Sequence, residues 1–276
     1  MKNLQYFERI KICAKNFEFI QYNEEDGIGT ISLNRPNCMN ALNYPLLMEI
    51  VDIIESKRRD RNIRILVIEG SESAFSSGDV LKNMGPDGVR FKPLEDGSRM
   101  PHHKVIRLIR EIRKPVIALI QGYCIGAGFE LSLSCDFRLV ANNLKIGDYR
   151  ASRAICVMSG ASWLLPRIVG FSRATDIILT GRLLDAQEAL EIGLVNKVYP
   201  VSEFKAKTTE FIRKMAEMPT TCIGYNKSML NFSQYNELFP SLQYEFELYL
   251  KNIRTHDFGE GMKSFLKKRE PKFKGR

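Results

Sequence analysis

The chain lacks the long apolar run that a membrane helix would need, roughly 20 residues. Its first residues, MKNLQYFERIKIC, carry no apolar stretch of the kind a secretory signal requires. The cytoplasm or an organelle matrix is therefore the expected compartment. Histidine is scarce: His102, His103 and His256 stand beside no Ser or Cys motif, which argues against a Ser–His–Asp hydrolase. Six cysteines, at 13, 38, 124, 135, 156 and 222, form no C-x-x-C pair and no Cys/His cluster with metal spacing. They read as reduced thiols, mostly small core fillers, and no metal site is expected. There is no phosphate-binding G-K-[ST] loop, the run around Gly126 and Gly128 lacks the third glycine of a dinucleotide fingerprint, and no internal repeat or low-complexity tract occurs.

What is present is charge and a large core. The 276 residues suffice for one large domain or two small ones. A net charge of +9 favours anionic partners. Much of it lies at Lys263, Lys267, Lys268, Arg269, Lys272, Lys274 and Arg276, which alone would read as a solvated, frayed tail. Bases and aromatics are not interleaved as in an RNA-binding sheet, so no nucleic-acid partner is expected.

Along the chain, residues 17–33 alternate around EEDG and predict a β-hairpin. LNRPNCMNAL (33–42) follows as a loop, and 44–58 has helical periodicity. Residues 63–69 read as a buried strand leading into the loop GSESAFSSGDV and a short helix, LKNM, which Asp79 would cap. Residues 85–103 are rich in Gly and Pro and read as a long loop, either a functional flap or disordered. His102 and His103 would be solvent-exposed there. A helix over 103–112 precedes an apolar strand, 115–120. Later elements are a strand at 137–141, helices from 162 and 172, a capping box Asp185–Glu188, a strand in LVNKVYP, and helices only from 201 onward.

The most informative stretch is RKPVIALIQGYCIGAGFELSLSCDF (113–137). Its strand runs through a Gly-rich turn into a helix with Glu130 in the first turn. The first N–H groups of a helix have no partner within it, and the helix dipole adds partial positive charge there. The N–H of Ala127 can therefore stabilise an oxyanion, with the Glu130 carboxylate three residues on. Residues 63–84 repeat the plan of buried strand, Gly-bearing loop and helix. Two such sites facing one another would hold one oxygen with two donors.

Six segments complete the pattern: ISLNRPNCMNAL (31–42), AFSSGDVLKNM (74–84), KPVIALIQGYCIGAGFELSLSCDFRLVA (114–141), SWLLPRIVG (162–170), LTGRLLDAQEALEIGLVNKVYP (179–200) and EGMKSFLKKREPKF (260–273). In order and spacing the chain resembles the crotonase superfamily, the enoyl-CoA hydratase/isomerase family. The resemblance implies an α/β fold, a spiral of ββα units over 1–200, and a helical oligomerisation region over 201–276 that builds a homotrimer or homohexamer. It implies a coenzyme A thioester as substrate and no further cofactor. Backbone N–H groups of Asp79 and Ala127 would bind the thioester oxygen, and Glu130 would act as acid/base. Ala41, Ser77, Gly78 and Gly126 would line the coenzyme A site. Lys82 would lie near its phosphates, and Phe265 and Lys268 would meet it, often in the neighbouring subunit.

The chain departs from the family pattern at both positions where a second carboxylate is usual, and at Asp79, where the family usually has a small or neutral residue. Hydratases carry a second glutamate where this chain has Arg150, and the aspartate of some isomerases falls at Met158. Glu130 would then move a proton between carbons, as in double-bond isomerisation, or activate water alone. Arg150 would pair with Glu130, bind a carboxylate on the acyl group as in a decarboxylase or hydrolase, or be a surface residue paired with Asp148. A catalytically weak acyl-CoA-binding protein is the non-enzymatic alternative.

Overall fold

A computed structural model describes residues 17–80 and 100–276. Cys13, Lys82, the LKNM helix and most of the Gly/Pro-rich loop fall outside the described residues.

Two sheets of unequal size carry the fold. The larger has the order β1(Ile20–Glu25), β2(Ile28–Leu33), β3(Ile65–Glu69), β5(Val116–Ile120), β7(Phe137–Ala141) and β10(Lys197–Tyr199). β1 and β2 form the expected hairpin, and the other pairings are parallel. The smaller sheet joins β4(Ala74–Ser76), β6(Tyr123–Ile125), β8(Lys145–Gly147) and β9(Leu183–Asp185). Each of β3, β5 and β7 is thus followed by a short strand of the second sheet. This is the ββα spiral that the resemblance implies. The loop expected after β3 and the Gly-rich turn expected after β5 each contain one of these three-residue strands.

Strands β3 and β5, and β7 apart from buried Arg138, are apolar on both faces because both faces are covered. Leu66 and Ile68 enter the main core with α1(Tyr44–Lys57), α2(Pro101–Glu111) and α3(Ala127–Ser134). Ile65 and Val67 turn the other way, toward Phe204, Ile212 and Ala216 of α7(Val201–Glu217). α4(Ala161–Val169), α5(Phe171–Thr180) and α6(Ala186–Glu191) close the main core. Asp185 caps α6 through Glu188 N, but the return half of the capping box is not made, because the Glu188 carboxylate binds Arg182 instead.

After α7 come α8(Thr220–Ser233), α9(Leu238–Asn252) and α10(His256–Leu266). Lys227 fixes α8 to the core. Its buried ammonium donates to the carbonyls of Ile109 and Lys114 and to Asp136. The basic tail is not frayed. Buried Asp257 accepts from Lys274 N and Gly275 N, and Glu260 accepts from Lys272 N and pairs with Arg269. Among the described residues no helix is long and apolar enough to cross a membrane.

Candidate active site

The site lies where the chain leaves the short strands β4 and β6. Segment 38–42 and segment 77–80 are laced together: Ser77 N donates to Met39 O, Leu42 N to Gly78 O, and Val80 N to Leu42 O. Asn40, fully buried, anchors that lacing by donating to Ala74 O and accepting from Arg35 N. Asp79 lies opposite Leu42 in a parallel bridge, and its own N–H has no acceptor among the described residues.

Gly78 brings this strap against the second donor. At φ +89° it sits so close to the α3 turn that an added Cβ would lie 3.0 Å from Ile125 O and 3.4 Å from the Ala127 nitrogen. Gly128 serves the same approach, since a Cβ there would lie 2.6 Å from Ser76 Cβ. The first helical bond of α3 is Glu130 N to Gly126 O, so the Ala127 N–H has no acceptor within the helix. The structure therefore brings Ala41, Ser77, Gly78, Asp79, Gly126 and Ala127 together, as the sequence suggests.

Glu130 is fully buried, not an exposed helix-start acid. Its Oε1 accepts from the backbone N–H groups of Ser159 (2.9 Å), Met158 (3.3 Å) and Ala161 (3.4 Å). These N–H groups lie at and just before the start of α4, so Glu130 takes the place of a capping anion there. Oε2 lies 2.9 Å from Arg150 Nη2 in a Coulombic contact rather than an aligned hydrogen bond.

Arg150 is not a surface residue: it is 7% exposed. Its Nε donates to both oxygens of buried Asp148 (2.9 and 3.2 Å), and its Nη2 bridges Asp148 and Glu130. Burial lowers the guanidinium pKa, but the two carboxylates more than reverse this, and the net shift is upward. Its stem packs beside Gly126, where an added Cβ would lie 3.7 Å from Arg150 Cδ.

His102 and His103 belong to the first turn of α2 and are not solvent-exposed loop residues. His102 is buried, and its Nε2 meets Asp79 Oδ1 at 2.7 Å. The Asp79 side chain therefore points to α2. His103 Nε2 contacts Met158 O at 2.7 Å. One helical turn thus touches both the Gly78–Asp79 strap and the Glu130 cradle. The signal for that turn is Pro101 at the first helical position.

Seven buried side-chain polar atoms have no hydrogen-bond partner among the described residues, and five belong here: Asp79 Oδ2, His102 Nδ1, Glu130 Oε2, Arg150 Nη1 and Ser159 Oγ. Buried polar groups are normally satisfied, so this cluster is open to partners such as ordered water or a ligand. Beside Ser159 and Gly160 opens a cavity of ≈ 680 Å³ with an apolar wall of Ile106, Trp163, Leu164, Phe232, Tyr235 and Tyr244 and a charged one of Arg58, Arg107, Arg110, Glu111 and Arg113. Trp163 stacks on Tyr235, whereas Leu165 is core.

Phe265 and Lys268 are exposed at and beyond the end of α10 and, among the described residues, make no hydrogen bond or ion pair with this site. Among the described residues no group of three or more His, Cys, Asp or Glu could hold a metal ion. Cys124 and Cys135 are buried, and burial pushes each thiol up to about 12.

Known proteins share both sequence and fold. The family model for enoyl-CoA hydratase/isomerase matches residues 23–276. A probable enoyl-CoA hydratase of Rhizobium meliloti is 32% identical over 261 residues, 95% of this chain and 100% of that one. The 1,2-epoxyphenylacetyl-CoA isomerase of Escherichia coli is 30% identical over 260 residues, 94% of this chain and 99% of that one. The crystal structure of an enoyl-CoA hydratase from Bacillus anthracis superposes with a TM-score of 0.87 at 32% identity, covering 94% of this chain and 100% of that one. With its ββα spiral and a match spanning residues 23–276, this chain belongs to the enoyl-CoA hydratase/isomerase family.

Proposed function

We propose that the chain performs enolate chemistry on an unsaturated acyl-CoA, and that double-bond isomerisation is its reaction in preference to hydration. The observation that carries this reading is the buried Arg150–Glu130 pair, which puts a cation where a hydratase is expected to have its second carboxylate. A thioester oxygen bound by the Asp79 and Ala127 N–H groups draws charge from the α-carbon, and loss of one such donor typically costs about 3–4 kcal/mol. Glu130 Oε1 is tied by three amides. Oε2 is the oxygen left to take a proton from one carbon and return it to another. Arg150 acts as a positioning residue that holds Oε2 of Glu130 in place.

The guanidinium is already bound by two carboxylates of its own chain, so the Glu130–Arg150–Asp148 cluster carries a net negative charge. That disfavours Arg150 as the receptor for a carboxylated acyl group. The Ser159 hydroxyl supports hydration as a second reading, because it is buried, unpartnered and adjacent to the Glu130 cradle. The apolar wall of the cavity beside Gly160 would take the acyl chain. The chemistry asks for no cofactor beyond the thioester's own coenzyme A, and a cytoplasmic or matrix location suits it. Exposed Leu238, Phe239, Leu242 and Phe246 give α9 an apolar face suited to a homotrimer or homohexamer built through residues 201–276. In that assembly Phe265 and Lys268 would meet a neighbour's coenzyme A.

The test is a panel of 2-enoyl- and 3-enoyl-CoA thioesters followed by mass spectrometry. Isomerisation leaves the mass unchanged and moves the double bond, whereas hydration adds one water. Binding without turnover of any thioester would refute the enzymatic reading.

A further inference from the structure

A second site lies at the other end of strands β3 and β5, and two of its cations, Arg58 and Arg113, also line the cavity beside Gly160. The oxyanion donors follow the short strands β4 and β6, whereas residues 58–64 and 113–114 precede β3 and β5. Between these turns, the start of α8 and the chain's last residues is a cavity of ≈ 560 Å³. Arg58, Arg59, Arg61 and Arg64 line it from the first turn, and Arg113 and Lys114 from the second. Arg254, His256 and Arg276 complete the wall.

The cations are poorly compensated from within the chain. Asp60 is the one acidic side chain in the lining, and its carboxylate is committed to Lys57 Nζ (3.3 Å) and Asn62 N (2.9 Å). Asp257, nearby, spends its oxygens on the amides of Lys274 and Gly275 and on His256. Arg58 reaches Glu111 at 3.7 Å. The guanidinium groups of Arg59, Arg61 and Arg254 have no ion pair or hydrogen bond among the described residues.

Two of the cations are built into the wall. Lys114 is 6% exposed, and its ammonium donates to the carbonyls of Lys57 and Asp60 with no carboxylate in ion-pair range. An ammonium has three donors, so one remains. Arg64 donates to Thr220 Oγ1 (3.1 Å) and Met218 O (2.8 Å); Asp257 and Glu217 act on it only from beyond ion-pair range. Burial pushes the Lys114 pKa down to about 8 and lowers that of Arg64, so an anion would relieve both. The start of α8 adds to this field: Pro219 gives no side-chain cap, and the first intrahelical bond is Ile223 N to Pro219 O.

We propose that this cavity binds a small diphosphate-bearing anion, separately from the thioester site. Concavity favours a small ligand over a nucleic acid strand. The lining holds no Phe or Trp, and its one Tyr ring, Tyr225, already has the Arg113 guanidinium over one face, so it offers no row of rings for stacked bases. The diphosphate could be that of a free phosphorylated molecule or of a second coenzyme A.

Titration calorimetry of the full chain with inorganic pyrophosphate tests this, with and without saturating coenzyme A. The expected result is one pyrophosphate per chain, bound at least tenfold more weakly in the Arg61→Glu/Arg254→Glu double variant and unchanged in Lys205→Glu, an exposed charge reversal elsewhere. If pyrophosphate still binds beside coenzyme A, the ligand is a free phosphorylated molecule. If coenzyme A instead binds at two sites and loses one in the double variant, the diphosphate is its own. The proposal is overturned by absence of binding, by equal loss in Lys205→Glu, or by displacement of pyrophosphate by coenzyme A bound at one site. Displacement of pyrophosphate by a tighter-binding single-stranded RNA overturns it as well. Arg61→Gln/Arg254→Gln, with the fold checked by circular dichroism, repeats the comparison without charge reversal.

Discussion

Replacing Arg150 by methionine removes the cation shared by two buried carboxylates. Glu130 and Asp148 are 0% and 1% exposed, so neither can turn to water for compensation. At about 4 Å and an effective dielectric near 20, each pairing is worth about 4 kcal/mol of Coulomb energy. Measured losses on removing one partner of a buried pair are about 3–5 kcal/mol, because the remaining charge stays desolvated. For a chain of this size each kcal/mol shifts the melting temperature by about 2–4 °C, so Arg150→Met should melt about 6–20 °C below the parent. Scanning calorimetry reads this directly. Adding Asp148→Asn to Arg150→Met should restore part of the loss, because one of the uncompensated charges is then gone. A single variant that melts within 2 °C of the parent would refute the buried three-residue cluster, and with it the reason for assigning isomerisation.

Three further outcomes follow from the packing. Gly128→Ala puts a Cβ 2.6 Å from that of Ser76, so it should destabilise the chain by about 1–3 kcal/mol in urea unfolding and lower turnover by shifting Ala127. Exposed Cys156 should react with a thiol reagent at pH 8, while Cys124 and Cys135 stay silent until the chain unfolds; mass mapping of the labelled peptides checks this. Lys114 has a folded pKa of about 8 against an ordinary 10.5, so between those values the unfolded chain holds the proton that the folded chain has released. Stability should therefore rise with pH across that window, and Lys114→Met should abolish the rise in melting curves.

Elements whose signals repeat were legible in the sequence. The apolar spacing of α1, the buried run of β5 and the glycines before α3 each predict what forms. The short strands β4, β6, β8 and β9 were not, because three residues cannot display an alternation. At the site, Glu130, Ala127 and Asp79 follow from the motif. The cradle around Glu130 is made of backbone N–H groups at Met158, Ser159 and Ala161, which leave no mark in side-chain chemistry. The His102–Asp79 contact spans 23 residues and the tail's attachment to Asp257 spans 17 and 18. Both are products of tertiary packing. Arg150 stands out as a departure from the family, but only the fold shows that it faces two acids.

The central claim is that Glu130 moves a proton at a carbon activated by two backbone N–H groups. Proton NMR of an acyl-CoA thioester in D2O measures it without assuming the product. The native chain should exchange the α-proton, and Glu130→Gln should bind the thioester with similar affinity while exchange falls at least a hundredfold. Exchange that persists in Glu130→Gln, or a native chain that binds the thioester and exchanges nothing, would contradict the account.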